Sequence, residues 1–342
     1  MGLAISDTEL AKIPYLDRAR LGDRVLYLLP FWDGQRWHLW LPQPDGSLLT
    51  LHPQDAAQGD YVALEPASPY DLPILFLNFI WQRASLPGVH SRLGAMLNDF
   101  HSLATSLAKI DHFFAGHEQL GFGSALFVAT ELDYILIRCR SVFDHLQETV
   151  SILWDRHVRL LDPIHQKGKR TPPQSFADVL FESNLPSEAS RIAQKYKFPR
   201  SLAEAYCAIR PFFTTIRDAR NRIVHGTQKG QSIFYTNQGW CVAQDDPLFA
   251  QFRDSSVWTN AHRFNNRLMS LRPLLAHIVF GTMSACGELL SAFAGEITFP
   301  EPLAPNHTVF VRCVHGAALA RLDTVLDGGS PWWNESPRGD RP

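Results

Sequence analysis

The chain has 342 residues, of which 45% are apolar, and a formal net charge of −2 at pH 7, so it is long enough for a sizeable core and two domains. The balanced charge indicates no particular class of partner, and the five cysteines, none in a C-x-x-C pair, exclude a typical structural zinc site. These cysteines are typical of reduced thiols in a cytoplasmic protein, and we expect no apolar run to span a membrane.

Residues 1–85 have the pattern of a small antiparallel β domain. Three short runs are rich in Leu, Trp, Tyr and Val: Arg24–Phe31, Arg36–Leu41 and Ser47–His52. Asp33-Gly34 separates the first two runs, and Pro44-Asp45-Gly46 separates the next two. Such sequences favour hairpin turns, because Gly adopts positive φ and Pro fixes the start of a turn. The sequence does not indicate a role for this β domain.

Residues 86–300 change to a helical pattern, with apolar residues at three- and four-residue spacing. Four long helices are predicted: Arg92–Phe114, Ser124–Leu160, Ser201–Arg222 and Trp258–Phe293. Pro211 predicts a kink or a break in the third helix, and Pro273 predicts a kink in the fourth. The chain is therefore predicted to be mainly α, with the helical domain over residues 86–300.

Two further β elements are predicted after the third helix. Gln231–Tyr235 and Trp240–Gln244 are separated by a turn that ends at Gly239, so residues 231–244 form a candidate β-hairpin insert. Residues 301–342 form the C-terminal region, in which Thr308–Val314 is a candidate strand. The polar tail from Asp327 contains Gly and Pro and is expected to be disordered.

The residues that indicate chemistry lie at the end of the third predicted helix. Arg220 is followed by Asn221 and, four residues later, by His225 and Gly226. Arginine keeps its charge at all working pH and donates a planar fork of hydrogen bonds that suits phosphate. Histidine takes and returns protons near neutral pH, so the set suits phosphodiester chemistry without a metal ion. A histidine before glycine is also common where a helix ends, which leaves a structural role open.

The charge around this segment is more basic than in the rest of the chain. Residues 186–230 contain three acidic residues and nine basic ones, namely Arg191, Lys195, Lys197, Arg200, Arg210, Arg217, Arg220, Arg222 and Lys229. A basic surface of this kind suits a polyanion. A solvated helix face explains the same pattern, and the sequence does not decide between the two.

The segment Arg220–His225 resembles the R-x4-6-H signature of HEPN domains, including the polar residue directly after the arginine. Its position is similar too, since it ends one long helix and precedes another. A third similarity is the charged helix Glu131–Leu146, in which Arg and Asp alternate with apolar residues. The resemblance covers about residues 86–300. It implies an up-and-down helical bundle, HEPN-like and usually dimeric, and many members of the family are RNases.

Metal-free RNA cleavage by such a site begins when the 2′-hydroxyl attacks the adjacent phosphorus. The site has to remove the hydroxyl proton, protonate the leaving oxygen and hold the developing charge. The resemblance implies that His225 is the acid and base, that Arg220 holds the phosphate, and that Asn221 orients one of them. A homodimer with two copies of the segment in one groove supplies the second histidine that the two proton transfers require.

Four further arginines are candidate RNA-binding residues: Arg217, Arg222, Arg138 and Arg140. The first two flank the motif, and the last two belong to the helix Glu131–Leu146, where they are candidates to border the same groove. Asp144 lies one helical turn beyond Arg140, so an intrahelical ion pair is an alternative role for that arginine.

The sequence therefore predicts a metal-independent endoribonuclease of HEPN type that acts on RNA as a cytoplasmic homodimer, without a metal or a cofactor and without contact with a membrane. A defence or toxin–antitoxin-like system is the expected context, with a cognate antitoxin or regulatory protein as a partner. The alternatives are a non-catalytic HEPN-fold protein that binds RNA or nucleotide or acts as a scaffold, and an unrelated α-bundle. The sequence has neither a Gly-rich nucleotide-binding loop nor a G-x-S-x-G segment.

Overall fold

The computed structural model describes residues 5–56, 58–157, 170–224, 233–243, 245–246, 249, 252 and 257–334. About 52% of the structure is helical, and the strands form small sheets. The prediction of a mainly α fold with a β part is therefore confirmed. The helices are α1 (Asp7–Leu10), α2 (Leu75–Ala84), α3 (His90–Ala115), α4 (His117–Leu120), α5 (Gly123–Ile152), α6 (Phe176–Leu180), α7 (Ala189–Tyr196), α8 (Arg200–Val224), α9 (Leu271–Gly295) and α10 (Gly316–Asp323).

The strands are short and lie in three sheets. They are β1 (Phe31–Trp32), β2 (Trp37–Pro42), β3 (Leu48–Leu51), β4 (Gly59–Ala63), β5 (Phe181–Glu182), β6 (Leu185–Pro186), β7 (Ile233–Tyr235), β8 (Trp240–Ala243), β9 (Leu268–Ser270) and β10 (Thr308–Arg312). The largest sheet has the order β10-β4-β1-β2-β3, β5 pairs with β6, and the third sheet has the order β7-β8-β9.

The predicted helices α3, α5 and α8 are present, and their contacts give their relative directions. Lys109 of α3 pairs with Glu131 of α5 at 2.9 Å, and Asp99 of α3 pairs with Arg138 of α5 at 3.0 Å. Because the residue numbers rise on one helix as they fall on the other, α3 and α5 are antiparallel. A single helix, α8, continues through Pro211, so the predicted break at that proline is absent.

Helix α8 packs antiparallel to α5 through buried aromatic residues. The ring of Phe213 lies 5.3 Å from the ring of Phe143. Earlier on α8, the hydroxyl of Tyr206 donates a hydrogen bond of 2.6 Å to the side-chain oxygen of Gln147, which lies later on α5. Both Tyr206 and Gln147 are buried. The tyrosine hydroxyl and the glutamine side-chain oxygen are therefore hydrogen-bonded to each other inside the apolar seam between the two helices.

Helix α9 is the most apolar long helix. It is the one helix in the described ranges that is long and apolar enough to cross a membrane by length and composition, and 56% of its apolar window is buried inside the protein. Gly281 lets α8 approach it, since a Cβ atom at that position would lie 2.6 Å from the Phe212 ring. This burial is typical of a core helix.

The prediction of a helix over Trp258–Phe293 is wrong in about its first third, before Leu271. Residues Asn260–His262 form a short 3-10 turn and Leu268–Ser270 form β9, so α9 begins at Leu271. Pro273 is the third residue of α9, where its missing N–H leaves no intrahelical bond unmade. Pro273 therefore marks the start of α9 and not a kink within it.

The residues divide into two compact units whose boundaries differ from the predicted domains. The first unit comprises residues 1–98, 144–208 and 286–314, and the second comprises residues 99–143, 209–285 and 315–342. Each of the helices α3, α5, α8 and α9 contributes one part to each unit. The predicted boundaries at 85 and 300 follow the change from strand to helix, whereas these units are defined by which residues pack together.

The sheet of the first unit corrects the predicted antiparallel N-terminal β domain. Strands β1, β2 and β3 are antiparallel, but β1 pairs with β4 in parallel, and β10 pairs antiparallel with β4. The sheet is therefore mixed, and its fifth strand comes from Thr308–Arg312. Local alternation of apolar residues predicts a strand but not its partner, which is why the sequence did not show this pairing.

The predicted strand Arg24–Phe31 is mostly not a strand, because other groups satisfy its backbone. The hydroxyl of Tyr15 donates to the Leu29 carbonyl at 3.0 Å and accepts from the Leu29 amide at 3.2 Å. The amide of Val25 donates to the Ser85 carbonyl at 2.7 Å. Regular pairing begins at Phe31, where β1 meets β2 and β4.

The predicted hairpin insert is present as β7 and β8, and β9 adds a third strand to it. The same unit contains the segment that we expected to be disordered from Asp327. Trp332 and Trp333 are buried, and the Trp333 indole donates to a carboxylate oxygen of Asp111 at 2.8 Å. The disorder prediction is therefore wrong for residues 327–334, and residues 335–342 lie outside the described part.

Asp60 on β4 gives a test of the sheet's electrostatics, because burial raises the pKa of its carboxyl to about 6. The folded protein then holds this proton more tightly than the unfolded chain, so the free energy of unfolding falls as the pH rises from 3.8 to about 6. We expect Asp60→Asn to stabilise the protein at pH 8 by up to about 3 kcal/mol and to change little at pH 4. Thermal unfolding at both pH values measures this, and an equal effect at both would contradict it.

Candidate functional site

The candidate site lies at the C-terminal end of α8, whose sequence separates a buried face from a more exposed one. Phe213, Ile216 and Ala219 are fully buried at helical spacing, and this fixes the rotation of the helix. Arg217 and Arg220 follow the buried positions by one residue and are half-buried. Both guanidinium groups are therefore held at the edge of the core rather than within it.

Arg220 is placed with its neighbour Asn221. Its guanidinium Nη1 donates to the side-chain oxygen of Asn221 at 3.3 Å, and both residues are half-buried in the last turn of α8. Among the residues that the structure describes, no carboxylate pairs with Arg220. The amide oxygen of Asn221 orients the guanidinium without neutralising its charge.

The flanking arginines differ in their surroundings. The Nε of Arg217 lies 3.1 Å from a carboxylate oxygen of Asp218, and the Arg217 side chain is 24% exposed. Arg222 is half-buried and also has an interaction partner. Arg217, Arg220 and Asn221 are three and four residues apart and so share one side of α8, whereas Arg222, two residues beyond Arg220, lies about 200° around the helix from it. His225 lies outside the described residues, so the structure gives no distance between His225 and Arg220.

Arg138, predicted to bind RNA, is engaged in the helical core of the second unit. Its Nη1 lies 3.0 Å from a carboxylate oxygen of Asp99, which is buried. Its guanidinium also donates to the hydroxyl of Tyr134 and lies 4.5 Å from the centre of that ring. Burial opposes the charge, but the hydrogen bonds with Asp99 and Tyr134 outweigh it and raise the pKa of Arg138.

Arg140, also predicted to bind RNA, points to another helix. Its guanidinium lies 4.6 Å from the centre of the Phe213 ring on α8. Residues two apart on a helix are separated by about 200°, which is why Arg138 faces α3 while Arg140 faces α8. Phe213 lies seven residues before Arg220, about 10.5 Å along the helix axis. The structure therefore does not bring Arg138 and Arg140 to one groove.

Asp144, considered as an ion-pair partner of Arg140, has a further role that the sequence did not suggest. Its carboxylate accepts a hydrogen bond of 3.1 Å from the backbone N–H of Phe176, the first residue of α6. A carboxylate at this position satisfies an N–H that has no partner within the helix. The contact joins residues 32 apart in sequence, so no local pattern indicates it.

A second polar group, missed by the sequence reasoning, lies at the β1–β2 hairpin. The side chains of Asp33 and His38 are 2.6 Å apart, and this hydrogen bond with His38 is the main reason why the pKa of Asp33 is well below its usual range. The ring of His52 lies 4.8 Å from that of His38, and its Nδ1 is 3.1 Å from the Trp37 carbonyl oxygen. No group of three or more His, Cys, Asp or Glu side chains suited to a metal occurs among the described residues.

Comparisons of the chain with models of protein families, with curated proteins and with solved structures gave no match.

Proposed function

We propose that this protein is a metal-independent endoribonuclease of HEPN type, with Arg220, Asn221 and His225 as its catalytic residues. The observation that carries the proposal is the state of Arg220. Its guanidinium is half-buried at a helix end, is oriented by the side chain of Asn221, and has no carboxylate partner among the described residues. An arginine held in this way suits a phosphate, which accepts two hydrogen bonds from the planar fork.

The reaction follows from these groups. A neutral His225 accepts the proton of an RNA 2′-hydroxyl, and the 2′-oxygen attacks the adjacent phosphorus. The bond from phosphorus to the 5′-oxygen breaks, and a protonated His225 from a second chain gives its proton to that oxygen. Arg220 holds the charge that develops on the phosphate oxygens. The products are a 2′,3′-cyclic phosphate and a 5′-hydroxyl, and a homodimer provides the two histidines.

Arg217, three residues before Arg220 and on the same side of α8, is the flanking group that would hold the RNA backbone in this proposal. Arg222, about 200° around the helix from Arg220, is a weaker candidate for it. Arg138 and Arg140 have less support for that role, since Arg138 pairs with buried Asp99 and Arg140 stacks on Phe213. We assign both mainly to helix packing. A cytoplasmic defence or toxin–antitoxin-like role, with an antitoxin or regulatory protein as a partner, belongs to the same proposal.

The purified protein is expected to cleave RNA in the presence of a metal chelator. The measurement is incubation of labelled single-stranded and hairpin RNA with and without EDTA, followed by mapping of the product ends. Cyclic phosphate ends and equal rates with and without EDTA are expected. Cleavage that requires added Mg²⁺ or Mn²⁺ would contradict the mechanism. A substrate with a 2′-deoxy sugar at the cleaved position is the matched control and should remain intact.

A non-catalytic RNA- or nucleotide-binding or scaffold protein is the second candidate. The observation in its favour is that two of the predicted RNA-binding arginines, Arg138 and Arg140, are engaged inside the helical bundle. In this case Arg220 and Asn221 would stabilise the end of α8. RNA that is bound but not cut, with no change in product ends after long incubation, would favour this alternative.

A further inference from the structure

A cavity of about 510 Å³ lies within the first unit. Its walls come from three segments that are distant in sequence: Arg20–Arg24, Leu153–Arg156 and Ile297–Pro300, with Leu86 beside them. The volume falls in the range of sites for small molecules, about 300–1,000 Å³. This site is separate in sequence from the Arg220 segment and does not depend on the function proposed for it.

The floor of the cavity carries a buried positive charge. Arg24 is 6% exposed, and its Nη1 donates to the carbonyl oxygens of Gln82 at 2.7 Å and Glu301 at 2.6 Å. Its Nε and Nη2 donate to the backbone carbonyls of Leu21 and Arg20, so most of its N–H groups are engaged. Burial lowers the pKa of Arg24, and the neighbouring charges of Arg83 and Arg20 lower it further. Carbonyl groups orient this guanidinium without cancelling its charge, so the interior of the cavity favours an anion.

Arg156 adds a second guanidinium, which lies at the edge of the cavity and makes no hydrogen bond with the nearby carboxylate of Asp155. The Arg156 side chain is 66% exposed, and its Nε is 3.9 Å from a carboxylate oxygen of Asp155, beyond hydrogen-bond distance. That carboxylate accepts a hydrogen bond of 2.6 Å from Thr171. Arg20 also lines the cavity and pairs with Asp17 at 2.7 Å. Asp23 is the one carboxylate against three arginines among the lining residues.

The remaining wall is apolar. It is formed by Leu21, Leu86, Leu153, Ile297 and Phe299. Leu153 and Ile297 are buried, whereas Phe299 is half-buried. An inorganic ion would leave this wall in contact with water, whereas a ligand with an apolar or aromatic part would cover it.

The backbone of one cavity wall forms a rare type of helical turn, which also indicates a functional site. Leu153–His157 forms a π-helical turn at the end of α5, and two of its residues, Leu153 and Arg156, line the cavity. Single π-helical turns are rare and occur frequently at functional sites. Here the turn places an apolar side chain, Leu153, and an exposed guanidinium, Arg156, in the lining of the same space.

We propose that this cavity is a binding site for a small organic phosphate of about the size of a mononucleotide. The phosphate would bind between Arg156 and the buried charge of Arg24, and the organic part would lie against Leu153 and Phe299. Arg156 would supply the planar fork that holds a phosphate by bidentate hydrogen bonds, and Arg24, whose N–H groups mostly bond backbone carbonyls, would contribute its buried positive charge.

The test is isothermal titration of the whole protein with AMP, adenosine and inorganic phosphate at low ionic strength. AMP is expected to bind with saturation and more tightly than either fragment. Arg156→Gln should weaken AMP binding by about tenfold or more, because a charge-assisted hydrogen bond is lost. Arg200→Gln removes another exposed arginine, one outside the cavity, and should leave the affinity unchanged.

Three results would overturn the proposal. The first is an absence of saturable AMP binding. The second is adenosine binding as tight as AMP binding, because the protein would then not recognise the phosphate. An Arg220→Gln variant separates this cavity from the proposed catalytic site. AMP binding that is lost in Arg220→Gln and kept in Arg156→Gln would assign the nucleotide to the helix end instead.

Discussion

Replacement of His225 by alanine is expected to reduce the rate of RNA cleavage by about 100- to 10,000-fold, the range for loss of a general acid or base. Every proton transfer in the proposed mechanism passes through this imidazole, whereas Arg220 and Asn221 bind and orient. We expect the substitution to leave the fold intact, since His225 comes in sequence after Val224, the last residue of α8. Single-turnover cleavage under EDTA measures the rate, and thermal unfolding measures the stability.

The matched control is His315→Ala. His315 is exposed and precedes α10, and its side chain makes no capping hydrogen bond there. Loss of histidine at this position should change neither the cleavage rate nor the unfolding temperature. If His225→Ala lowered the unfolding temperature by more than about 10 °C, the histidine would be structural. If cleavage were equal in both variants and in the wild type, the proposed catalytic role of His225 would be wrong.

The long helices could be predicted closely because their pattern is local and repeated. The predicted range Arg92–Phe114 corresponds to His90–Ala115, and Ser201–Arg222 corresponds to Arg200–Val224. Many apolar residues at three- and four-residue spacing all indicate the same element, so a single exception such as Pro211 does not change the outcome. Burial of the α8 stripe at Phe213, Ile216 and Ala219 agrees with that pattern.

The strand partners could not be predicted because pairing depends on residues that are far apart. Thr308–Val314 was predicted as a strand, yet nothing near it indicates that the observed strand Thr308–Arg312 pairs with Gly59–Ala63. The C-terminal segment shows the same limit. Its composition is polar, but Trp332 and Trp333 are buried, and Asp111 and Arg272 bind them from distant parts of the second unit. Two buried aromatic residues outweigh a polar surrounding sequence.

The candidate sites also differ in how far the sequence predicts them. The Arg220 segment was visible because its residues are adjacent, whereas the environments of Arg138 and Arg140 depend on which helix each one faces. The cavity beside Arg24 has no local signal, since its walls come from three distant segments. A sequence motif therefore identified candidate chemistry here, but only the packing shows which arginines contact other helices.

The largest effect on stability is expected for Trp240→Ala. Trp240 lies on the central strand β8 of the three-stranded sheet and is fully buried. Its indole N–H donates to the Ile110 carbonyl of α3 at 3.2 Å, and its ring contacts the rings of Phe114 and Tyr235. Alanine would leave a large cavity and remove this hydrogen bond, so the free energy of unfolding should fall by about 3–5 kcal/mol.

The control for Trp240→Ala is Phe234→Ala on the neighbouring strand β7, where the aromatic side chain is 39% exposed. Its removal opens no internal space and should change the free energy of unfolding by less than about 1 kcal/mol. Urea unfolding of both variants, followed by circular dichroism, compares them under one condition. Equal losses in the two variants would contradict the structure, because a side chain that closes the core between β8 and α3 must contribute more than one that faces water.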